Sequence, residues 1–231
     1  MSQYSPHQGP FHTLAQRERT DTQQQDTETA AAQRLQRIFS DFERGFDSLR
    51  QETDTVTFFG SARLQPDNRY YQQARTLSQR IATELGATIV TGGGRGIMAA
   101  ANQGASDAGG KSIGMTIELP CEDVSNQYVD ESVDFYYFFS RKVALSFTAR
   151  AFIYFPGGFG TLDEFFEILT LKQTGRIQSV PIILVGKEYW QPLLDFIQQQ
   201  LITEFGTVSQ GENRLFQQLD DEDKIINALS T

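Results

Sequence analysis

Largely apolar segments alternate with amphipathic segments along most of the chain. Five apolar segments are predicted as buried strands: 55–59, 87–90, 112–117, 151–155 and 180–185. Between them, apolar side chains recur three or four residues apart, which predicts helices over 67–85, 97–108, 140–149, 161–174 and 190–201. Weaker patterns predict a strand over 133–138 and a short helix over 222–229. Apolar strands separated by amphipathic helices are typical of α/β proteins, in which helices cover both faces of a parallel sheet.

The N-terminal region differs from the rest of the chain. Residues 1–29 are rich in Gln, Thr, Ser and Asp and are predicted to form a disordered polar tail. Helical spacing then predicts an amphipathic helix over 30–50, with these apolar residues on one face: Leu35, Ile38, Phe39, Phe42, Phe46 and Leu49. This helix packs either on its own domain or on a second subunit. The predicted plan is a tail at 1–29, a helical segment at 30–52 and one α/β domain at 53–231.

Composition excludes several classes of function. The 231 residues carry a formal net charge of −9, and no cluster of Lys and Arg forms the basic surface of a nucleic-acid-binding protein. His7 and His12 are the only histidines and Cys121 is the only cysteine. A His/Cys metal site in the folded region and a Ser-His-Asp triad are therefore not expected. Because the sequence shows neither a membrane-length apolar run nor a secretory signal, we expect a cytoplasmic protein with no membrane partner.

The first candidate binding element is a glycine-rich turn between a predicted strand and a predicted helix. Gly92, Gly93, Gly94 and Gly96 let the backbone approach a ligand closely, and the N–H groups at the helix start attract an anion. Four glycines in five positions exceed the needs of a tight turn, which is the alternative interpretation. The dinucleotide-binding fingerprint would require a glycine where Ile97 stands. The turn is therefore predicted to bind an anion in some other way.

The second candidate element follows an apolar strand and opens a helix. The residues predicted to hold a phosphate there are Gly157, Gly158, Phe159, Gly160 and Thr161. Glu164 follows three residues after Thr161, so it is either a catalytic carboxylate or half of a capping box with Thr161. The apolar residues of the helix predict that Glu164 lies off the core face. A carboxylate beside a phosphate site is electrostatically unfavourable, which favours a role as a base.

Two further groups complete the candidate site. Ser140, Arg141 and Lys142 lie near a predicted helix start, where cations oppose the helix dipole unless an anion is nearby. We therefore predict that an anionic ligand lies near Arg141 and Lys142, although a solvated basic pair is the alternative. Gly60 and Ser61 follow the first strand and are weaker candidates, because Ser61 also suits a simple turn.

These motifs together resemble one known family. The segments 92–98, 138–142 and 156–164 resemble the LOG ("lonely guy") family of phosphoribohydrolases in order and spacing, and 59–63 and 173–177 are similar to its longer branch. The resemblance covers about residues 55 to 200. It implies a Rossmann-like, doubly wound and mostly parallel sheet, and a homodimer or a higher homo-oligomer. Arg95 and Ala99 stand where relatives of the longer branch commonly have Pro and Glu, which puts substrate choice in doubt.

The resemblance also implies an activity. Members of the family hydrolyse nucleoside 5′-monophosphates, including AMP and cytokinin ribotides, to a free base and ribose 5-phosphate. Carried over by motif, Arg141 and Glu164 are the catalytic pair and the two glycine-rich turns hold the nucleotide. No metal or cofactor is expected. Some relatives carry the name lysine decarboxylase, but apart from available lysines nothing in the sequence supports a pyridoxal cofactor. The alternative function is a non-catalytic carrier of a nucleotide or of molybdenum cofactor with the same fold.

Overall fold

The structure, a computed structural model, describes residues 27–118 and 125–230 of the chain. Its seven strands are β1 Thr55–Phe59, β2 Thr88–Thr91, β3 Ser112–Ile117, β4 Glu131–Phe135, β5 Ala149–Tyr154, β6 Ile182–Leu184 and β7 Gln217–Gln218. They form one sheet in the order β4-β3-β2-β1-β5-β6-β7, and every pairing is parallel. The predicted α/β class and the doubly wound sheet are therefore confirmed.

Helices connect nearly all the strands. They are α1 Thr27–Leu49, α2 Arg69–Arg80, α3 Ile97–Asp107, α4 Phe138–Phe147, α5 Phe159–Gln173, α6 Lys187–Phe196 and α7 Glu222–Leu229. Two of them continue with π-helical geometry, α2 through Ile81–Leu85 and α6 through Ile197–Glu204, and a short 3₁₀ turn spans Glu212–Arg214. No helix within residues 27–118 and 125–230 combines the length and apolar character needed to cross a membrane.

Two hydrophobic clusters lie on opposite faces of the sheet. Side chains alternate between them along each strand, so that Val56 and Phe58 of β1 join one cluster while Phe59 joins the other. Helices α2, α3 and α7 cover the first face. Helices α4, α5 and α6 cover the second, where Trp190 is fully buried. The sheet thus lies between two layers of helices. The loops that follow the strands lie at the C-terminal ends of the strands.

Helix α1 packs on its own domain, against α4 and β4. The helices approach so closely at Gly45 that an added Cβ would lie 2.8 Å from the Phe135 ring and 3.2 Å from Ala144 Cβ. One turn of the predicted apolar face points away from the domain, because Leu35 and Phe39 are 66% and 68% exposed. Packing on the domain therefore accounts for part of the apolar face of α1 and leaves the rest uncovered.

The element boundaries differ from the prediction mainly around β4 and α4. β4 ends at Phe135 rather than at 138, and α4 begins at Phe138 rather than at 140. The reason is that the N–H groups of Tyr136 and Tyr137 donate to Asp41 and leave the strand ladder. The short edge strand β7 has two glutamines and no apolar pattern, and sequence periodicity does not reveal it. Of the predicted tail at 1–29, residues 27–29 belong to the start of α1, while residues 1–26, both histidines and Cys121 lie outside the described residues.

Candidate functional site

Three loops meet at the C-terminal edge of the sheet. The Ser61 N–H, after β1, donates to the Pro156 carbonyl after β5 at 3.0 Å. The Ser61 carbonyl accepts from the Ile97 N–H, at the start of α3, also at 3.0 Å. β1 lies between β2 and β5, where the strand order reverses direction along the chain. Ligands of doubly wound sheets bind at such a switch point, so the fold brings the predicted turns together where a ligand is expected.

The glycines of the first turn are required by its geometry. Gly93 and Gly96 have φ values of +72° and +64°, which side-chain-bearing residues rarely adopt. A Cβ at Gly96 would lie 2.1 Å from the Ser61 carbonyl oxygen, so this glycine permits the contact between the loops after β1 and β2. A Cβ at Gly92 would lie 2.1 Å from Arg141 Nη2. Gly92, Gly93, Gly94 and Gly96 are all buried.

Asn126 orients this turn, and the sequence interpretation missed it. The Asn126 side-chain amide donates to the carbonyls of Gly93 and Gly94 at 3.0 and 2.9 Å, and its backbone N–H donates to Gly93 at 2.8 Å. It also reaches the buried Asn102 side chain. These bonds hold both glycine carbonyls toward Asn126. Nothing around Asn126 in the sequence forms a motif, so only the need for a partner for the turn's carbonyls could have indicated it.

The second turn presents an uncapped helix start. α5 begins at Phe159, and no side chain caps it at Gly158. A Cβ at Gly157 would lie 2.0 Å from the Thr161 hydroxyl oxygen, so the glycine makes room for that side chain. Gly158 and Gly160 are exposed and their Cβ positions meet open space, while the Phe159 side chain is 93% exposed. The predicted phosphate cradle is thus open to ligand, although its role in binding stays a prediction.

Glu164 lies on the buried face of α5, contrary to the expectation from helical periodicity. It is 8% exposed and shares this face with Thr161, Phe165 and Ile168, whereas Phe166 is 38% exposed. The capping-box interpretation is also wrong, because the helix starts two residues before Thr161 and its N-cap is Gly158. Glu164 therefore occupies a core position without serving as a helix cap.

The environment of Glu164 changes its acidity. Burial raises the pKa of Glu164 from 4.5 to about 7, and the nearby charges of Lys142 and Arg141 limit the rise. Within the described part of the chain, the carboxylate takes part in no ion pair. A carboxyl group with a pKa near 7 is both protonated and ionised in substantial amounts at neutral pH, which suits a general base.

Arg141 reaches the site from the second turn of α4. Its Nε donates to the Met115 carbonyl at 2.6 Å and its Nη2 to the Gly92 carbonyl at 3.4 Å. Burial lowers the pKa of Arg141, while the Coulomb attraction of Glu164 opposes the change. The structure therefore brings Arg141 and Glu164 within electrostatic range, as their motifs predict.

Lys142 points toward α5 and lies between two carboxylates. Its Nζ is 2.8 Å from Asp163 and 2.7 Å from Glu167. Burial alone would lower the pKa of Lys142, but the two ion pairs outweigh burial and raise it. Phosphate binding by Lys142 stays a prediction, and a phosphate there would compete with both carboxylates.

Carboxylates of the protein lie around the start of α4: Asp163 and Glu167 pair with Lys142, and Asp41 contacts the residues that precede the helix. The Asp41 carboxylate of α1 accepts from the N–H groups that precede α4. The sequence argument predicted an anionic ligand near this helix start and did not indicate Asp41, and binding of such a ligand stays a prediction. Ser61 takes part in a turn, which is the alternative to ligand binding that the sequence left open. Its hydroxyl accepts from the Arg63 N–H at 3.1 Å.

Comparisons with known proteins found a matching family and similar relatives. Residues 98–229 match the model of a family described as "possible lysine decarboxylase". A cytokinin riboside 5′-monophosphate phosphoribohydrolase from Rhodococcoides fascians is 30% identical over 161 residues, covering 68% of this chain and 81% of the relative. An Arabidopsis thaliana protein of the same name is 25% identical over 162 residues, covering 69% of this chain and 70% of its own.

Solved structures show the same fold. A molybdenum cofactor carrier protein from Chlamydomonas reinhardtii superposes with a TM-score of 0.55 at 20% identity, covering 78% of this chain and 99% of the carrier. A molybdenum cofactor binding protein from Rippkaea orientalis gives 0.54 at 22% identity, with 77% and 96% covered. At these identities the likeness establishes the architecture alone.

Proposed function

This chain belongs to the LOG family, and on that premise we propose that it is a phosphoribohydrolase of nucleoside 5′-monophosphates. The proposed reaction hydrolyses the N-glycosidic bond of AMP or of a cytokinin ribotide and releases the free base and ribose 5-phosphate. Glu164 carries the proposal, because it is a buried carboxylate with a pKa of about 7, close to Arg141 and on the helix that follows the second glycine turn. A purely structural helix position gains nothing from a buried, unpaired carboxyl group.

The mechanism follows from the charge that develops during cleavage. Breaking the bond between C1′ and the base leaves positive charge on the ribose, in an oxocarbenium-like transition state. Ionised Glu164 stabilises that charge and accepts a proton from the water that attacks C1′. The bonding electrons leave with the base, which takes up a proton from solvent. Arg141 orients the nucleotide and does not act as an acid, since a guanidinium stays protonated.

The second glycine turn is the proposed phosphate site. The exposed N–H groups at the start of α5 have no side-chain cap, and the Thr161 hydroxyl lies beside Gly157. Phosphate binding there supplies binding energy remote from the reacting bond. AMP should therefore react faster than adenosine at saturation, and equal rates on the two would contradict this assignment.

The lysine decarboxylase description fits the site poorly. Decarboxylases of that kind use pyridoxal phosphate, which forms a Schiff base with a lysine whose pKa is lowered. Lys142, beside Glu164, instead has a raised pKa and forms ion pairs with Asp163 and Glu167. Lys142 therefore does not suit the role of a Schiff-base lysine.

The first test is base release from AMP and from N6-isopentenyl AMP by the wild type and by Glu164→Gln. We expect Glu164→Gln to lower the rate by about 10²-fold to 10⁴-fold, the range for loss of a general base. The matched control is Glu204→Gln, an exposed glutamate at the end of the α6 extension, which should retain the wild-type rate. Measurable AMP binding without release from either substrate would favour the carrier function.

We also propose that the chain forms a homodimer through an apolar face of α1 and α4. This α1–α4 apolar face consists of five exposed side chains: Leu35, Phe39, Phe139, Val143 and Phe147. Ring contacts join the two helices at this face, and the Phe46 and Phe147 ring centroids lie 4.4 Å apart. Large exposed apolar patches are typical of protein interfaces, which supports a subunit contact here.

A further inference from the structure

The start of α4 carries positive charge without an acidic residue of its own. Arg141 and Lys142 follow closely after its first residue, Phe138, and Tyr137 provides no side-chain cap. Cations at this end of a helix are repelled by the dipole, and the free N–H groups need acceptors. Both requirements call for an anion that some other element supplies.

Asp41 of α1 supplies the acceptor at the start of α4, while Asp163 and Glu167 of α5 pair with Lys142. The Asp41 carboxylate is fully buried and accepts from the N–H groups of Tyr136 at 3.1 Å and Tyr137 at 3.0 Å. The Ser140 hydroxyl donates to it at 2.6 Å, and Arg44 of α1 at 2.7 Å. Four donors thus surround one carboxylate: two belong to the residues just before α4, one to α4 itself and one to α1.

Arg141 lies on α4, and backbone carbonyls hold its guanidinium. Its guanidinium contacts the carbonyls of Met115 and Gly92, and no carboxylate of the described residues lies within ion-pair distance of it. Carbonyl oxygens hold a guanidinium less firmly than a bidentate carboxylate does. The placement of α4 therefore decides where the guanidinium lies relative to Glu164.

We propose that Asp41 is a positioning residue for Arg141 and makes helix α1 a part of the active site. α1 lies wholly outside residues 98–229, the part of the chain that matches the family model. The kinetic consequence of this inference rests on the proposed function, whereas its structural consequence rests on the geometry alone. The experiment below measures the two separately.

Asp41→Asn is the informative variant, because it keeps the shape of the side chain and removes its charge and one acceptor oxygen. Asp47→Asn is the matched control. Asp47 lies on the same helix, is exposed, and forms a surface ion pair with Arg50. Ser140→Ala is a milder variant that removes one donor to the Asp41 carboxylate, and it serves if Asp41→Asn does not fold.

The first readout is the NMR signal of the Arg141 Nε–H group, assigned by its loss in Arg141→Lys. This proton is bonded to the Met115 carbonyl, so its chemical shift and solvent exchange report where the guanidinium lies. We expect Asp41→Asn, and to a smaller extent Ser140→Ala, to shift the signal and accelerate its exchange, while Asp47→Asn leaves it unchanged. An unchanged signal in folded Asp41→Asn overturns the proposal whatever the enzyme's activity.

The second readout is a double-mutant cycle on AMP hydrolysis. Asp41→Asn should lower kcat between about 10-fold and 100-fold, the scale of a misplaced catalytic group, with little change in KM. If Asp41 acts through Arg141, adding Asp41→Asn to Arg141→Lys should cause little further loss. Full multiplication of the two effects would mean that Asp41 acts on the fold in general. Failure of the wild type to release base would contradict the proposed function and leave the NMR result to decide the role of Asp41.

Discussion

At the scale of one residue, the burial of Glu164 in the candidate site lowers the stability of the folded protein at neutral pH. Its folded-state pKa of about 7 lies above the ordinary value of 4.5, so the folded protein holds this proton more tightly than the unfolded chain does. Stability is therefore greatest while the carboxyl group is protonated in both states, and it falls as the pH rises from about 4.5 to about 7. Above that range the folded protein carries a buried charge that the unfolded chain exposes to water.

Replacing Glu164 with Gln should therefore stabilise the protein at pH 8. The pKa difference of about 2.5 units corresponds to about 3.5 kcal/mol, at about 1.4 kcal/mol per unit. Urea unfolding at fixed protein concentration should show a gain of that order at pH 8 and little gain at pH 4.5. Glu204→Gln, the exposed control, should show no such pH dependence. An equal gain at both pH values would mean that the pKa of Glu164 is not raised.

At the scale of elements, the turn after β2 requires glycine for two different reasons. At Gly92 an added Cβ meets the far end of the flexible Arg141 side chain, which can move. At Gly96 it meets the backbone of Ser61 and Ala62, in a conformation with positive φ. One glycine therefore makes room for a functional side chain, and the other permits two loops to touch.

Substitution of Gly92 and substitution of Gly96 should consequently have different effects on activity and stability. Gly92→Ala should keep the stability within about 1 kcal/mol but lower AMP hydrolysis by about 10-fold to 100-fold, because it displaces the guanidinium of Arg141. Gly96→Ala should lower the free energy of unfolding by about 2 kcal/mol or more, because its backbone becomes strained. Thermal unfolding and initial rates on the same preparations measure both effects. A strongly destabilised Gly92→Ala variant would show that the Arg141 side chain cannot move away from the added methyl group.

At the scale of the whole molecule, the α1–α4 apolar face determines the expected assembly. This face lies near β4, at one end of the sheet, whereas α6 and β7 lie toward the other end. A contact between two copies of the chain at this face would remove Leu35 and Phe39, the most exposed hydrophobic side chains of α1, from water.

In sedimentation velocity, the wild type should be a dimer and the double variant Leu35→Asp and Phe39→Asp should be a monomer. Desolvating two carboxylates in an apolar contact is unfavourable, which is the reason for the expected dissociation. Phe205→Asp is the matched control, because Phe205 is equally exposed at 69% but lies after the α6 extension. A wild-type monomer, or a dimer that survives the double variant, would contradict the proposed interface.

The sequence by itself determined the sheet, the layers and the location of the turns. Strands β1 and β3 and helix α7 begin and end where periodicity predicts, since burial on a sheet imposes local spacing. The motifs also identified Arg141 and Glu164 as neighbours, although only through a resemblance. These features can be predicted from the sequence because each depends on residues close together in the chain.

Only the tertiary structure decided the surroundings of those motifs. Asp41, Asn126 and the ion pairs of Lys142 act across long separations in sequence, and no local pattern reveals a partner brought in by another element. Periodicity likewise placed Glu164 on the wrong face of α5, because it assumes that a charged residue avoids the core. A functional carboxylate departs from that rule, since its burial is what raises its pKa.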